Sequence, residues 1–280
     1  MKFRISCTIL PAGMAWLFAW PVYGANYAVP DLSGFWEHTV PQEDWENLPS
    51  TTLGPVHRSK ASGPAHEGGT GGNLWIGDYT NPILQPWAAE VVKKEGDRQL
   101  AGGPSLTNAA MCRPSGVPDV FTLIGSLEML QGPNEVVFLY QRDNQSRHIY
   151  LNQQHAADRE PSYYGDSVGH YEGDTLVVDT IGMNDKTATD RFGTPHTKAL
   201  HVVERYRIVN DGKTLEDIFT VEDPGAFTTV WSGVLNYKRA RVPKVEEEVC
   251  SENNRGLAVP EASVDAISGL RFRATNETRQ

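Results

Sequence analysis

From residue 127 onward the chain breaks into short β-type runs at regular spacing: 127–131, 134–141, 146–152, 166–172, 174–182, 200–209, 214–222 and 227–238. Turn signals separate many of them, at Gly132-Pro133, Asp143-Asn144, Gly173-Asp174 and Asn210-Asp211-Gly212. Such residues reach the backbone angles of tight reversals at little steric cost, so the runs read as an antiparallel meander. No long helices alternate with the strands, which argues against a parallel α/β sheet. The spacing predicts an all-β, mainly antiparallel core, built as an up-and-down β-barrel or a two-sheet sandwich, with one more strand from residues 32–37. One short helix is expected over 86–95, with Pro86 in its first turn, Lys93 and Lys94 near its end and Gly96 as its stop.

This pattern divides the chain into a leader (1–24), an irregular N-terminal wrap (25–125), the β-core (126–257) and a C-terminal tail (258–280). Lys2 and Arg4 precede an almost uncharged stretch from Ile5 to Val22, and Val22-Tyr23-Gly24 offers a cut after Gly24. That order predicts a removed secretory signal, hence a periplasmic or secreted protein. The alternative, a retained anchor, is opposed by Pro11, Pro21 and a short apolar core. His66-Glu67-Gly68-Gly69-Thr70-Gly71-Gly72 reads as a flexible loop and lacks the Gly-Lys-Ser/Thr of a phosphate loop.

Loss of the leader removes two of the 25 basic residues, leaving 23 against 35 acidic and a net charge of −12. An acidic surface gives no support to binding nucleic acid or an anionic membrane. No further apolar run approaches the ~20 residues of a membrane span, so stable membrane insertion is not expected. Two cysteines remain, Cys112 and Cys250, and an even pair in an exported chain reads as a disulfide; two buried free thiols are the alternative.

Period-2 alternation sorts the polar side chains. His148, Tyr150 and Asn152 share one face of their run, and Arg147, Ile149 and Leu151 the other. Asp166, Val168, His170 and Glu172 lie together. Glu204 shares a mostly apolar face with Val202, Tyr206 and Ile208, and Asp179 shares one with Thr175, Val177 and Ile181. Both acids are therefore expected to point inward, where two carboxylates form a possible acid–base pair. Neutralisation by Arg147, Arg205 or Arg207 is the structural alternative. His196, after Pro195 in a loop, is a candidate acid or base at a barrel mouth. A metal set of His196, His201 and Glu204 fails on alternation, because residues three apart on a strand face opposite ways. The Gly-x-Ser-x-Gly spacing at Ser167 runs into a hairpin and lacks the strand–helix context of a nucleophile elbow. Abundant aromatics, including Tyr150, Tyr164, Tyr171 and Trp231, suit an apolar or aromatic ligand.

The stretch Gly165-Asp166-Ser167-Val168-Gly169-His170-Tyr171-Glu172-Gly173-Asp174-Thr175-Leu176-Val177-Val178-Asp179-Thr180 resembles one shared by a large group of secreted proteobacterial and acidobacterial proteins, which usually carry Trp at the Tyr171 position. The likeness extends to Asp31-Leu32-Ser33-Gly34-Phe35-Trp36, Cys112-Arg113-Pro114-Ser115-Gly116-Val117-Pro118, Pro195-His196, Leu200-His201-Val202-Val203-Glu204-Arg205-Tyr206, Val221-Glu222-Asp223-Pro224 and Cys250-Ser251-Glu252-Asn253. That resemblance implies no settled activity. The strand rhythm is also similar, more distantly, to lipocalin-type barrels, which include small-ligand carriers and some hydratases, cyclases and isomerases; fold likeness does not fix function.

Two functions follow as expectations. The first is an exported enzyme without metal or cofactor, a lyase, isomerase or hydrolase working by acid–base catalysis on a small apolar or aromatic substrate in the barrel cavity. Asp166, Asp179, His196 and Glu204 would transfer protons, with Tyr150 and Arg205 orienting the substrate or stabilising negative charge. Tyr164, His170, Arg147, His201 and Trp231 would contact the substrate. The second is a lipocalin-like carrier of an apolar molecule.

Overall fold

The computed structural model describes residues 29–38, 58–61, 74–103, 106, 108, 110–123 and 125–250; the expected signal peptide, the loop 66–72 and the tail 258–280 lie outside them. The described strands are β1 (Gly34–His38), β2 (Arg58–Ala61), β3 (Leu74–Gly77), β4 (Ser126–Gln131), β5 (Glu135–Tyr140), β6 (Gln145–Leu151), β7 (Asp166–Glu172), β8 (Thr175–Ile181), β9 (His201–Val209), β10 (Thr214–Glu222) and β11 (Trp231–Arg239). β2 and β3 pair separately, and the others close into a barrel in the order β1-β11-β10-β9-β8-β7-β6-β5-β4. The all-β barrel with a single short helix among the described residues is thus the architecture.

The meander is interrupted once. β6 and β7 are parallel and share only two Cα pairs, Tyr150↔Val168 and Leu151↔Gly169. Parallel neighbours need a long crossover, which residues 152–165 supply instead of a tight turn. The two strands approach closely at this seam. A Cβ on Gly169 would stand 2.9 Å from Cγ2 of Ile149, so only glycine fits there.

Side-chain alternation fills the barrel. Met129, Phe138, Ile149, Val178, Val202, Tyr206, Leu215, Phe219, Trp231 and Leu235 are all buried in one continuous core. Each large apolar side chain removed from water contributes roughly 1.5–3 kcal/mol. Phe121, from a 3-10 turn over Asp119–Thr122, inserts against Phe219, with ring centroids 5.3 Å apart, and lies 5.9 Å from the Arg147 guanidinium. The interior expected to form a ligand cavity is occupied by these rings and by Arg147.

Helix α1 runs Pro86–Leu100 and buries Ala88, Val92 and Gly96 at i, i+4, i+8. It continues past Gly96 because that glycine serves packing: a Cβ there would come within 3.2 Å of Ile76 on β3. The indole of Trp87 donates to Gly225 O at 2.7 Å, which ties the helix to the segment before β11. The expected last strand starts later than 227, since Phe227 instead turns to meet Leu84 in an isolated bridge. Cys112 and Cys250 are placed as a disulfide pair, Cα atoms 5.4 Å apart across a sequence separation of 138.

Candidate functional site

Two clusters of charge occupy opposite faces of the β6–β10 wall. The inner one centres on Arg147. Its Nη1 donates to Glu204 Oε1 at 2.8 Å and its Nη2 to Glu204 Oε2 at 2.5 Å. Further donations reach Thr180 Oγ1 at 2.8 Å and Ser167 Oγ at 3.2 Å. The Tyr206 hydroxyl donates to Glu204 Oε1 at 2.5 Å. Both charged side chains have 0% exposure. Burial works against the Arg147 charge, but Glu204 outweighs it through charge and hydrogen bonding, and the guanidinium stays protonated above its ordinary range. Glu204 and Arg147 thus form a buried ion pair with two parallel hydrogen bonds. Glu204 does point inward, as alternation implies, but its role is to neutralise Arg147.

Asp217, on β10 opposite Tyr206, also faces this interior and is fully buried. The Tyr206 hydroxyl and the Arg205 backbone N–H lie near its carboxylate, but neither oxygen receives a well-aligned hydrogen bond among the described residues, and the Tyr206 proton goes to Glu204. Burial, reinforced by the Glu204 charge, pushes its pKa well above the usual carboxylate range, so Asp217 is held as the neutral acid. Sequence reasoning missed it because Glu216-Asp217 reads as an ordinary polar pair within the strand.

Asp179 does not meet Glu204. In the β8–β9 register Val178 lies opposite Glu204 and Asp179 opposite Val203. Thr180 therefore points in and Asp179 out, with 43% of its side chain exposed. The inward expectation failed because the outer face of β8 is itself partly covered: Val177, on the Asp179 face, is only 5% exposed. Apolar neighbours do not distinguish lumen from exterior where both faces are packed.

The outer cluster forms around Asp179. The β7–β8 pairing sets Val168 beside Asp179 and Asp166 beside Ile181, so the two acids lie diagonally on one face. His155, from the crossover, fills the gap between them. Its Nδ1 lies 3.0 Å from Asp166 Oδ2 and its Nε2 3.0 Å from Asp179 Oδ1. The backbone N–H of Ala156 also donates to Asp166 Oδ2 at 3.0 Å. From β9, His201 Nε2 reaches the same Asp179 Oδ1 at 3.0 Å, and its Nδ1 stands 3.7 Å from Glu222 Oε2 at the end of β10. The sequence points to Asp166, Asp179 and His201 separately. His155 has no such signal, since it sits in a connection without periodicity.

The other candidates are dispersed. Tyr150 is on the exterior, stacked on His148 with ring centroids 6.4 Å apart. Arg205 and His170 both pair with Glu172 on the outer face. The Tyr164 hydroxyl donates to Gln145 Oε1 at 2.6 Å, and Trp231 is buried in the core against Phe219 and Phe227. His196 is buried, and burial lowers its pKa, so the ring is neutral. Its Nδ1 donates to Thr197 O at 2.8 Å, which leaves Nε2 to accept from the Thr187 hydroxyl at 2.6 Å. The ring thus holds the loop before β9 and exposes no free nitrogen. Ser167 is buried beside Arg147 and is no nucleophile elbow.

A cleft of about 470 Å³ opens where β7 outruns β6, lined by Pro30, Asp31, Gln131, Leu151, Asn152 and Tyr171 among others. The Tyr171 hydroxyl and the Gln131 amide hold each other across it at 2.7 Å. No family model matches the chain, and no curated protein or solved structure matches it significantly.

Proposed function

We propose that the protein is an exported enzyme that catalyses proton transfer on a small organic substrate, as a lyase, isomerase or hydrolase, at the outer-face cluster of Asp166, His155, Asp179 and His201. The observation that carries this reading is the unbroken Asp166–His155–Asp179–His201 chain, with 3.0 Å at every step and its far end open to solvent. Alternating carboxylates and imidazoles let a proton enter at His201 while the charge it brings is shared along the chain. His201, about one-third exposed, is the group that meets the substrate. Asp179, half-exposed on the outer face, orients it through the 3.0 Å contact, and His155 and Asp166 hold Asp179 in turn. The roles first assigned to Glu204 and His196 pass to His201 and His155.

The cleft beside Tyr171 supports a second reading, a binding protein for a small apolar or aromatic molecule, at a volume within the usual ligand range of roughly 300–1,000 Å³. One experiment separates the two. The secreted protein and its Asp179→Asn, His155→Gln and His201→Gln variants are incubated with a panel of small aromatic and terpenoid alcohols and carbonyl compounds, and products are quantified by mass per folded molecule. Proton transfer predicts a loss of ~10²–10⁴-fold in all three variants, with thermal midpoints within a few degrees of the parent. Recovery of intact ligand at 1:1 stoichiometry, unaltered by these substitutions but abolished by Tyr171→Ala, sinks the enzyme reading and favours the carrier.

A further inference from the structure

We propose that the cleft where β7 outruns β6 is a binding site for a neutral aromatic molecule carrying one or two hydroxyl groups, a phenol or a catechol. This rests on the binding reading of that cleft, narrows its ligand, and is independent of proton transfer at His201. Alternation puts Tyr171 on the face of β7 that holds Ser167 and Gly169, opposite to Asp166 and His170. The cleft therefore opens at the end of the barrel lumen, on the other side of the wall from the Asp179 cluster. Core side chains fill the lumen beyond it, and buried Leu151 is part of its lining.

Gln131 holds the walls in place with every hydrogen-bonding position of its amide. Its Oε1 accepts from the Leu32 N–H at 2.6 Å and from the Ser33 hydroxyl at 3.0 Å. Its Nε2 donates to Pro30 O at 2.9 Å and to the Tyr171 hydroxyl at 2.7 Å. One side chain thus fixes the segment before β1 and the end of β7 around a space of about 470 Å³, so little ordering remains when a ligand enters. Pro30, Pro133, Leu151 and Tyr171 offer that ligand apolar surface.

The hydrogen-bonding capacity left over selects the ligand. Gln131 is saturated, and the Ser33 hydroxyl proton is committed to it. Tyr171 accepts from Gln131, and its own proton has no acceptor among the described residues. Burial raises its pKa above the ordinary phenol value, so it remains a donor. Asp31 accepts from the Ser33 N–H through Oδ1 at 3.0 Å, which leaves Oδ2 open among the described residues. The Asn152 side chain at the exposed rim is open as well.

Asp31 is the one charged residue of the lining. It repels an aromatic carboxylate and favours a hydroxyl that can donate to it. A hydrocarbon would cover the Tyr171 hydroxyl and the Asp31 carboxylate without replacing their water, which opposes binding. A saccharide carries a hydroxyl on nearly every carbon, more than these few groups match, and each one left unpaired opposes binding too. A ring with one or two hydroxyls meets the remaining donor and acceptors and lays its faces on proline, leucine and tyrosine.

The test titrates the secreted protein with 4-ethylphenol, 4-ethylcatechol, ethylbenzene, 4-ethylbenzoate and methyl glucoside, followed by amide NMR signals. The phenol and the catechol should each bind at one equivalent and shift Asp31, Asn152 and Tyr171. Ethylbenzene should bind about ten-fold more weakly, the loss of one hydrogen bond, and the benzoate and the glucoside should not saturate. Tyr171→Phe should weaken the phenol about ten-fold and leave ethylbenzene unchanged, and Asp31→Asn should relieve the exclusion of the benzoate. Should Tyr171→Phe fail to fold, the probe series on the parent decides. Ethylbenzene that binds as tightly as the phenol overturns this inference and leaves a carrier of apolar molecules standing. Tighter binding of the benzoate or the glucoside overturns it, as does a folded Tyr171→Phe with unchanged phenol affinity, or shifts confined to residues outside the cleft. Failure of every probe to bind removes the binding reading of the cleft along with this inference.

Discussion

Glu204 and Asp217 stand on neighbouring strands, both buried in the barrel, but only Glu204 meets a cation directly. Glu204 is charged because Arg147 meets it with two parallel hydrogen bonds. Asp217 is desolvated and lies near the Glu204 charge, and together these outweigh the attraction of Arg147 and raise its pKa. This difference has a pH signature. The folded-state pKa of Asp217 lies above its unfolded value of ~3.9, so the folded protein binds more protons than the unfolded one between those two values. The associated stability is full below pH ~4 and declines as pH rises toward the folded pKa. Replacing Asp217 by Asn, which keeps the shape and cannot ionise, should flatten that decline. Urea midpoints from pH 4 to 9 measure it: parent and Asp217→Asn curves that run parallel throughout would show that Asp217 is ionised in the fold.

Among the elements, the β6–β7 junction is the weakest closure of the barrel, since two backbone pairs and the side chain of Arg147 hold it. Its stability depends on close approach, and Gly169 sets that approach. Gly169→Ala would push a methyl group against Ile149 and the Val177 carbonyl. Overpacking of this kind costs about 1–3 kcal/mol, more than any gain in strand propensity. Hydrogen exchange should show the effect at the seam, beginning with the Asn152 N–H that donates to Gly169 O at 2.7 Å. Ile149→Val, added to Gly169→Ala, should recover part of the loss. If the double variant is no more stable than the single, the contact is not what requires glycine.

At the scale of the molecule, the Cys112–Cys250 bond ties the segment leading into the barrel to the one leaving it, across a separation of 138 residues. Closing a loop of that size restricts the unfolded chain by about 4–5 kcal/mol in the entropic account. For a chain of this length, ~1 kcal/mol corresponds to roughly 2–4 °C. Reduction, or a Cys112→Ser/Cys250→Ser pair, should therefore lower the thermal midpoint by on the order of 10 °C while the far-UV spectrum at 25 °C stays that of a β-protein. An unchanged midpoint would mean that the two cysteines do not pair in solution. The remaining mass of the fold needs no such staple, because the barrel interior is filled by large side chains such as Trp36, Phe138, Tyr206 and Trp231.

The barrel strands, most of their turn residues and the start of helix α1 were legible in the sequence, as was the face each strand side chain shares with its neighbours; the β2–β3 pair, within the stretch read as irregular, was not. They follow from local rules: alternation at period two, the positive-φ tolerance of Gly, Asn and Asp, and proline in a helix's first turn. The face carrying Glu204 could be recognised as inward because its neighbours are uniformly apolar. The same rule misplaced Asp179, because packing on the outer wall of β8 erased the contrast on which the rule depends. Local rules also could not show that β6 and β7 run parallel, nor that the crossover between them lays His155 between Asp166 and Asp179. Those juxtapositions join residues through space at separations that no periodicity spans, so they arise only when the barrel closes. The chain by itself determined which side chains share a strand face. Tertiary structure decided which face is inside, that Arg147 neutralises Glu204, and that two histidines converge on Asp179.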